Sequence, residues 1–280
     1  MIVITIPVYN GAKTISKSLD SLISQTFKNW IAIIVNDGSI DNTSEILEKY
    51  SSDNRFIILN EATNRGRGYA RNLALNTAYK FNPKYLCMLD ADDVYHPEKL
   101  SRQYKFMEDN LNITLLSNAV GLVNRYGNLY SVSKSNNNFQ FYFFKDYENY
   151  CYVPHASSIV RFCDIDVIFD ESMRFSEDQD FMIRLLKEKE YAFDPNLLYY
   201  YYRDESFSIN KYKASLNATI YSMSKLHMSK KYLLGLKLVS AIKLILFSIL
   251  SLIGLDSIYF KKAGSNPDEN EILEFSKIIL

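Results

Sequence analysis

Three carboxylates stand within four residues, Asp90-Ala91-Asp92-Asp93, directly after the apolar run Tyr85–Leu89. Like charges this close repel one another, so burying them together without a counter-charge is costly. At the carboxyl end of a strand they can instead hold Mg2+ or Mn2+, hard cations that take oxygen ligands and keep phosphate or water in their shell. Such a cation neutralises a departing diphosphate and acts as a Lewis acid. The same residues also read as an acidic turn in which Asp92 or Asp93 caps the next helix. A second cluster, Ser176-Glu177-Asp178-Gln179-Asp180, precedes the helically spaced Phe181, Ile183, Leu185 and Leu186. A carboxylate there can take the proton of an attacking hydroxyl, or it can simply cap the helix and complement its dipole.

Two further clusters suit a nucleotide. In Asn36-Asp37-Gly38-Ser39, with Asp41 close behind, Gly38 permits positive φ or close backbone approach, and Asp37 can accept from a nucleobase N–H. An ordinary strand-to-helix loop has the same composition. Asn64-Arg65-Gly66-Arg67-Gly68, followed by Arg71 and Asn72, sets guanidiniums and glycines ahead of a helix, where phosphate or base contacts are made.

The elements that must position these clusters alternate. Ile2–Ile6 is a β-branched strand closed by Pro7, and Ile15, Leu19, Leu22 and Ile23 follow at helical spacing. Trp30–Val35, Phe56–Leu59 and Tyr85–Leu89 are further strands. Asn42 and Glu45 have capping-box spacing, Tyr69–Tyr79 is a helix, and His96-Pro97 opens another. Such alternation predicts a mostly parallel sheet with helices on both faces, whose ligands gather at the carboxyl ends of the strands. The clusters after strands one, two and four therefore converge on one rim.

The pattern weakens between Leu111 and Tyr150, where Ser135-Asn136-Asn137-Asn138 reads as a loop and Phe139–Phe144 has no clean period. Leu198–Tyr202 reads as core and strand packing, with sugar stacking the minor alternative. Beyond Asn210 the composition shifts to Lys, Leu, Ile and Ser with helical spacing, predicting a domain at 1–210 and a helical appendage at 211–280. In its stretch Leu236–Leu255, Lys237 and Lys243 leave an uncharged run, Leu244–Leu255, too short to span a bilayer. The stretch suits packing on the catalytic domain. It suits equally a peripheral membrane contact through 236–262, with Lys261 and Lys262 near headgroups.

The chain has 280 residues, 48% hydrophobic and 23% charged, which is globular composition. With 32 basic and 32 acidic residues there is no global field to hold a polyanion, so nucleic acid is not an expected partner. Three cysteines, Cys87, Cys151 and Cys163, lack metal-ligand spacing and fit a reducing compartment. Met1–Pro7 reads as a buried strand rather than a signal peptide. The expected location is cytoplasmic, with peripheral attachment to the inner face of the cytoplasmic membrane as the accompanying expectation.

Taken in order, Ile6-Pro7-Val8-Tyr9-Asn10, Val35-Asn36-Asp37-Gly38-Ser39 with Asp41, Asn64-Arg65-Gly66 with Ala70-Arg71-Asn72, Leu89-Asp90-Ala91-Asp92-Asp93 and Glu177-Asp178 resemble the motifs of inverting family 2 glycosyltransferases. The resemblance covers roughly residues 1 to 208. It implies a GT-A fold, an α/β architecture with a mostly parallel Rossmann-like sheet flanked by helices. It implies transfer of a sugar from a nucleotide sugar, UDP by family habit, to a saccharide or lipid-linked saccharide acceptor, in cell-surface polysaccharide or lipopolysaccharide biosynthesis. Carried over by position, Pro7, Tyr9, Asn10 and Asp37 bind the donor, with Asp37 on the base and Arg71 near base or phosphates. Asp90 and Asp92 match the DxD motif for Mn2+ or Mg2+; Asp92 is the preferred ligand, Asp90 lies near ribose or metal, and Asp93 is an extra ligand. Asp178 matches the catalytic base and Glu177 its neighbour, while Arg184 orders that segment. Val153-Pro154-His155 with Ser157 and Ser158 resembles the loop that flanks the acceptor site, which implies an acceptor-side place for His155, a residue that reads equally as a structural hydrogen-bonding one; Glu177, beside Asp178, is expected on the same side. Tyr202-Arg203 with Ser206-Phe207-Ser208 resembles a closing segment, but Asp204 and Glu205 stand where many relatives have a histidine.

Two rival classes share parts of this pattern. A sugar nucleotidyltransferase opens with a glycine-rich basic loop after strand one, whereas Val8-Tyr9-Asn10-Gly11-Ala12-Lys13 has one glycine and one lysine. A non-catalytic sugar-nucleotide-binding protein has no need of Asp90, Asp92 and Asp178, all of which are present.

Overall fold

The computed structural model describes residues 1–134, 138–145, 152–202, 209–225, 230–252 and 264–279. Parallel strands β1 (Ile2–Val8), β2 (Trp30–Asn36), β3 (Phe56–Asn60) and β4 (Tyr85–Met88) lie in the order β3-β2-β1-β4. Period-2 alternation along β1 feeds both faces. Ile2, Ile4 and Ile6 pack with Ile15, Leu19 and Leu22 of α1 (Ile15–Ile23). Val3 instead joins Ala70, Ala74, Leu75 and Ala78 of α3 (Arg67–Ala78) on the opposite side. Buried on both faces, these strands read as continuous apolar runs, which is why they stand out in the sequence.

The sheet does not stay parallel. It continues β4-β9-β6-β10-β5, where β9 (Ile159–Arg161) runs antiparallel to both β4 and β6 (Ile113–Val123), and β10 (Glu190–Tyr202) is parallel to β6. The two-residue β5 (Val94–Tyr95) pairs antiparallel with β10, β7 (Leu129–Ser133) pairs with β6, and β8 (Gln140–Phe143) pairs with β10. The expected mostly parallel sheet is thus a mixed sheet of ten strands among the described residues.

Helix α2 (Thr43–Glu48) corrects one local expectation. Asn42 makes no side-chain cap; instead Asp41 Oδ1 accepts from the Thr43 N–H at 3.1 Å and from the Thr43 hydroxyl. A reciprocal capping box stands at α8 (Glu269–Ile279), where Asp268 and Glu271 each accept the other's backbone N–H at 2.9 Å. Helix α4 spans Lys99–Asp109 and α5 spans Glu177–Leu186.

Beyond position 210, α6 (Ile209–Lys225) and α7 (Lys230–Leu252) form a helical pair. The last described segment returns to the sheet. Val132 and Ser265 exchange two backbone hydrogen bonds of 2.9 Å, and Phe275 of α8 is buried against Tyr200, ring centroids 4.8 Å apart. The apolar core of 1–210 therefore includes a residue from the segment 211–280. Among the described residues, no helix is long and apolar enough to cross a membrane. Cys87 is buried and Cys163 exposed, both as free thiols; Cys151, Ser135-Asn136-Asn137, Arg203 to Ser208, and Lys261 and Lys262 lie outside the described residues.

Candidate active site

Parallel register brings four strand ends to one rim. Pro7 pairs with Val35 and Val8 with Asn36, and the Asp37 N–H extends this ladder to the Val8 carbonyl at 2.9 Å. Leu89 N–H reaches Thr5 O at 3.1 Å, so Asp90 emerges at the same rim and lines one cleft with Tyr9 and Asp37. Asn36 Nδ2 donates to Asn60 Oδ1 at 3.0 Å and ties the third end in. The rim opens into a cleft of about 1220 Å³ lined by Pro7, Tyr9, Asn10, Asp37, Asp90 and Asp92.

The loops around the cleft are laced by polar side chains. Asn10, at φ +53°, accepts the Ile40 N–H at 2.9 Å, while its own N–H donates to Ser39 Oγ at 2.9 Å. Asp41 Oδ2 accepts the Ala12 N–H at 3.1 Å. Asp37 spends both carboxylate oxygens on the glycine loop, accepting from the N–H of Arg65 at 2.9 Å and of Gly66 at 2.8 Å. Each oxygen keeps a second lone pair for a further donor. Gly38, at φ +68°, lets this loop close in, since a Cβ there would sit 2.5 Å from the Asn64 nitrogen. Replacing Gly38 by Ala combines a disfavoured φ with a backbone clash. We expect Gly38→Ala to lose on the order of 3 kcal/mol of stability, read from urea denaturation midpoints; an unchanged midpoint would show that the loop packs less tightly than described.

Lys13, Arg65, Arg67 and Arg174 line the same cleft. Arg67 Nη2 donates to the Arg174 carbonyl at 3.2 Å, and the Arg65 guanidinium lies 3.5 Å over the Tyr69 ring. The lining segment Glu171–Phe175 was not singled out from the sequence, whereas Tyr201 belongs to the run Leu198–Tyr202 read there as strand packing with sugar stacking the minor alternative. The nearest signal was Arg174, two residues before the Ser176–Asp180 acidic cluster.

Arg71 differs from its expected place near base or phosphates. It is 4% exposed and does not line the cleft. Nη1 donates to Glu177 Oε1 at 2.5 Å and Nη2 to Asp90 Oδ1 at 3.0 Å. Burial works against its charge, and Asp90, Glu177 and Asp178 together more than offset that cost. Glu177 is likewise buried rather than acceptor-facing; Arg71 and Arg67 hold Oε1, and Oε2 has no partner. The bridge therefore links the carboxylate turn after β4 to the first turn of α5. Asp178 is half-buried in that turn, with Oδ1 accepting the Gln179 N–H at 2.9 Å. It lies close enough to Tyr152 that, after burial, its charge helps push the phenol up to about 12, with Asp90 adding to the effect.

Two more placements are corrected. Asp93 is fully buried and faces away from the cleft, accepting from Tyr199 Oη at 2.5 Å and the Tyr202 N–H at 2.9 Å. Burial, then Asp92 and Asp90, hold its carboxyl well above the usual range. Its partners make it a clamp between the carboxylate turn and β10, not a third metal ligand. His155 is buried edge-on to Phe169 and Phe181, at 5.7 and 6.2 Å, and does not line the cleft. Burial and then Arg71 push it down to about 3, so it stays neutral within the aromatic packing. Arg184 pairs with Asp180 at 2.6 Å and donates to the Ile168 carbonyl at 2.7 Å.

The donor set at Asp90 and Asp92 fits a divalent cation. Burial and then Asp90 push the Asp92 carboxyl up to about 6, with Arg67 only partly opposing. Arg71 neutralises the Asp90 side alone, so Asp92 is left short of positive charge. Among the described residues, no three His, Cys, Asp or Glu side chains are grouped to hold a metal unaided. The remaining ligands would then come from a diphosphate and water, as hard cations at phosphate sites favour.

A mixed sheet with a nucleotide-sized, carboxylate-bearing cleft at its carboxyl rim defines a GT-A-like α/β fold, and comparison with known proteins agrees. The family model for Glycosyl transferase family 2 matches residues 3–169, and the chain belongs to that family. It is 34% identical over 189 residues to an uncharacterized glycosyltransferase of Methanocaldococcus jannaschii, a match covering 65% of this chain and 62% of that protein. A second relative, from Rickettsia prowazekii, is 28% identical over 209 residues, covering 71% of this chain and again 62% of its own length. The chain thus spans less than two thirds of these relatives. Among solved structures, S. aureus TarS 1-349 in complex with UDP superposes with a TM-score of 0.62 at 20% identity, covering 83% of this chain and 68% of TarS 1-349. Mannosyltransferase PcManGT from Pyrobaculum calidifontis, in complex with GDP-Man and Mn2+, does so with 0.60 at 14% identity, covering 99% and 84%. At such identities the likeness establishes the fold.

Proposed function

We propose that this glycosyltransferase inverts configuration, moving a sugar from a nucleoside-diphosphate sugar, UDP-linked by family habit, onto an acceptor hydroxyl. The observation that supports the reading is the Asp90–Arg71–Glu177 bridge, which ties the carboxylate turn at the cleft to the helix turn that carries Asp178. Pro7 and Tyr9 wall the base, and Asp37 offers its remaining lone pairs to a base N–H while fixing the Arg65–Gly66 loop. Lys13, Arg65, Arg67 and Arg174 supply positive charge for a diphosphate. Asp92 and Asp90 would hold Mn2+ or Mg2+, which when bound stabilises the charge of the departing diphosphate.

Asp178 takes the acceptor hydroxyl's proton as its oxygen attacks the anomeric carbon. The bond from that carbon to the diphosphate oxygen breaks on the opposite face, so one displacement inverts the centre, as in inverting glycosidases. The reading extends to a saccharide or lipid-linked saccharide acceptor in surface polysaccharide or lipopolysaccharide assembly. It includes peripheral membrane contact through 236–262, of which 253–262 lie outside the described residues.

A panel of nucleotide sugars, each with and without Mn2+, tests the donor by thermal shift. A donor at 100 times its Kd stabilises by about 2.7 kcal/mol. Asp92→Asn should abolish the Mn2+-dependent part of the shift and retain the metal-independent part. An unchanged Mn2+ increment would remove Asp92 from the ligand set, and no shift with any nucleotide sugar would count against the reading as a whole.

A further inference from the structure

Helix α7 has two apolar faces. One is used inside the protein: Leu233 and Leu236 pack against the main core, and Ser240, Leu244 and Ser248 are half-buried along the same side. The other is bare. Leu234, Leu238, Ile242, Ile245, Leu246 and Ile249 are 48–68% exposed. At about 100° per residue, these six side chains occupy an arc of about 120°. Isolated exposed leucines need no explanation, but a continuous stripe six side chains long marks a surface that another apolar phase covers.

Charge identifies that phase. Lys237 borders one edge of the arc and Lys243 lies beyond the other, both exposed. From Ile209 to Leu252 the sequence has seven lysines and no aspartate or glutamate. A second copy docking face to face would set lysines against lysines without an acid to pair them. Anionic lipid headgroups complement the same pattern, with aliphatic side chains entering the acyl boundary and lysine stems reaching up to phosphate. The two lysines also divide the helix, so it lies along a bilayer rather than through it.

We propose that α7 seats the protein on an anionic lipid surface through Leu234, Leu238, Ile242, Ile245, Leu246 and Ile249, with Lys237 and Lys243 at headgroup depth. This rests on the peripheral-contact part of the reading above and deepens it by naming the face and the lipid charge. The full chain is floated with vesicles of phosphatidylcholine alone and of phosphatidylcholine mixed with phosphatidylglycerol. It should float with the mixed vesicles, remain below with phosphatidylcholine, and be released by high salt. Ile242→Glu/Ile245→Glu should abolish flotation, and Lys237→Glu/Lys243→Glu should reduce it at least tenfold. Donor turnover in lipid-free buffer should match the parent in both variants.

Failure to float with either vesicle overturns the proposal, as does equal flotation with both. A lipid-free dimer that Ile242→Glu/Ile245→Glu converts to monomer overturns it too, assigning the face to a second copy. Lost flotation with intact turnover concerns this face alone. Intact flotation without turnover in the parent would count against the transferase reading instead.

Discussion

Asp178→Asn should lower turnover by a factor of about 10²–10⁴, the range a positioned general base contributes, while donor and Mn2+ binding persist. Asparagine keeps the size of the side chain and can still accept the Gln179 N–H through its amide oxygen. What it loses is the capacity to take a proton. Nothing in the cleft lining depends on Asp178, so the donor-induced thermal shift should match the parent. Turnover within threefold of the parent would remove Asp178 from the base role. Lost donor binding would instead mean that the substitution disturbed the Arg71–Glu177 bridge beside it.

The second large effect belongs to Arg71. Removing one partner of a buried ionic network leaves charges unpaired, at a cost of about 3–5 kcal/mol. Arg71→Met leaves Glu177 only its 3.3 Å contact with the half-exposed Arg67 and deprives Asp90 of its counter-charge, so we expect destabilisation in that range by urea denaturation. Adding Glu177→Gln removes one stranded charge and should restore part of the loss. Arg71→Lys separates structure from catalysis. Lysine keeps the charge but cannot span two carboxylates with a planar fork, so kcat should fall about tenfold or more while the donor KM stays nearly constant. A raised donor KM with unchanged kcat would return Arg71 to direct donor contact.

Arg71 also shows where sequence reading stops. Arg65, Arg67 and Arg71 share one basic glycine-rich stretch, and composition offers no ground for separating them. The helix separates them: Arg67 stays largely exposed at the cleft, while Arg71, one turn on, is buried behind it. The same holds for Asp90-Ala91-Asp92-Asp93. Asp90 and Asp92 line the cleft, whereas Asp93 adjoins β5 and is drawn under β10, a pairing set by a strand 100 residues downstream. Strands β1 to β4 were legible because short apolar runs end in polar turns. Strand β6 was not, since the buried Thr114, Ser117 and Asn118, with Gly121, interrupt its apolar run, and no period of two marks it. Strand β8 alternates in burial, yet its exposed positions are Phe141 and Phe143, so polarity gives no contrast.

The place of β9 has a consequence for modularity. Only three residues long, it is the sole element joining β4 to β6 among the described residues, and it closes the seam between the four parallel strands β1 to β4 and the rest of the sheet. Its chain neighbours lead on to α5, whose first turn returns to Asp90 through Arg71. Cutting the polypeptide between the two carboxylate clusters would therefore separate pieces that cannot fold independently. Donor preference and acceptor preference must change by point substitution or loop replacement at the rim, and swapping halves between relatives should yield insoluble chimeras.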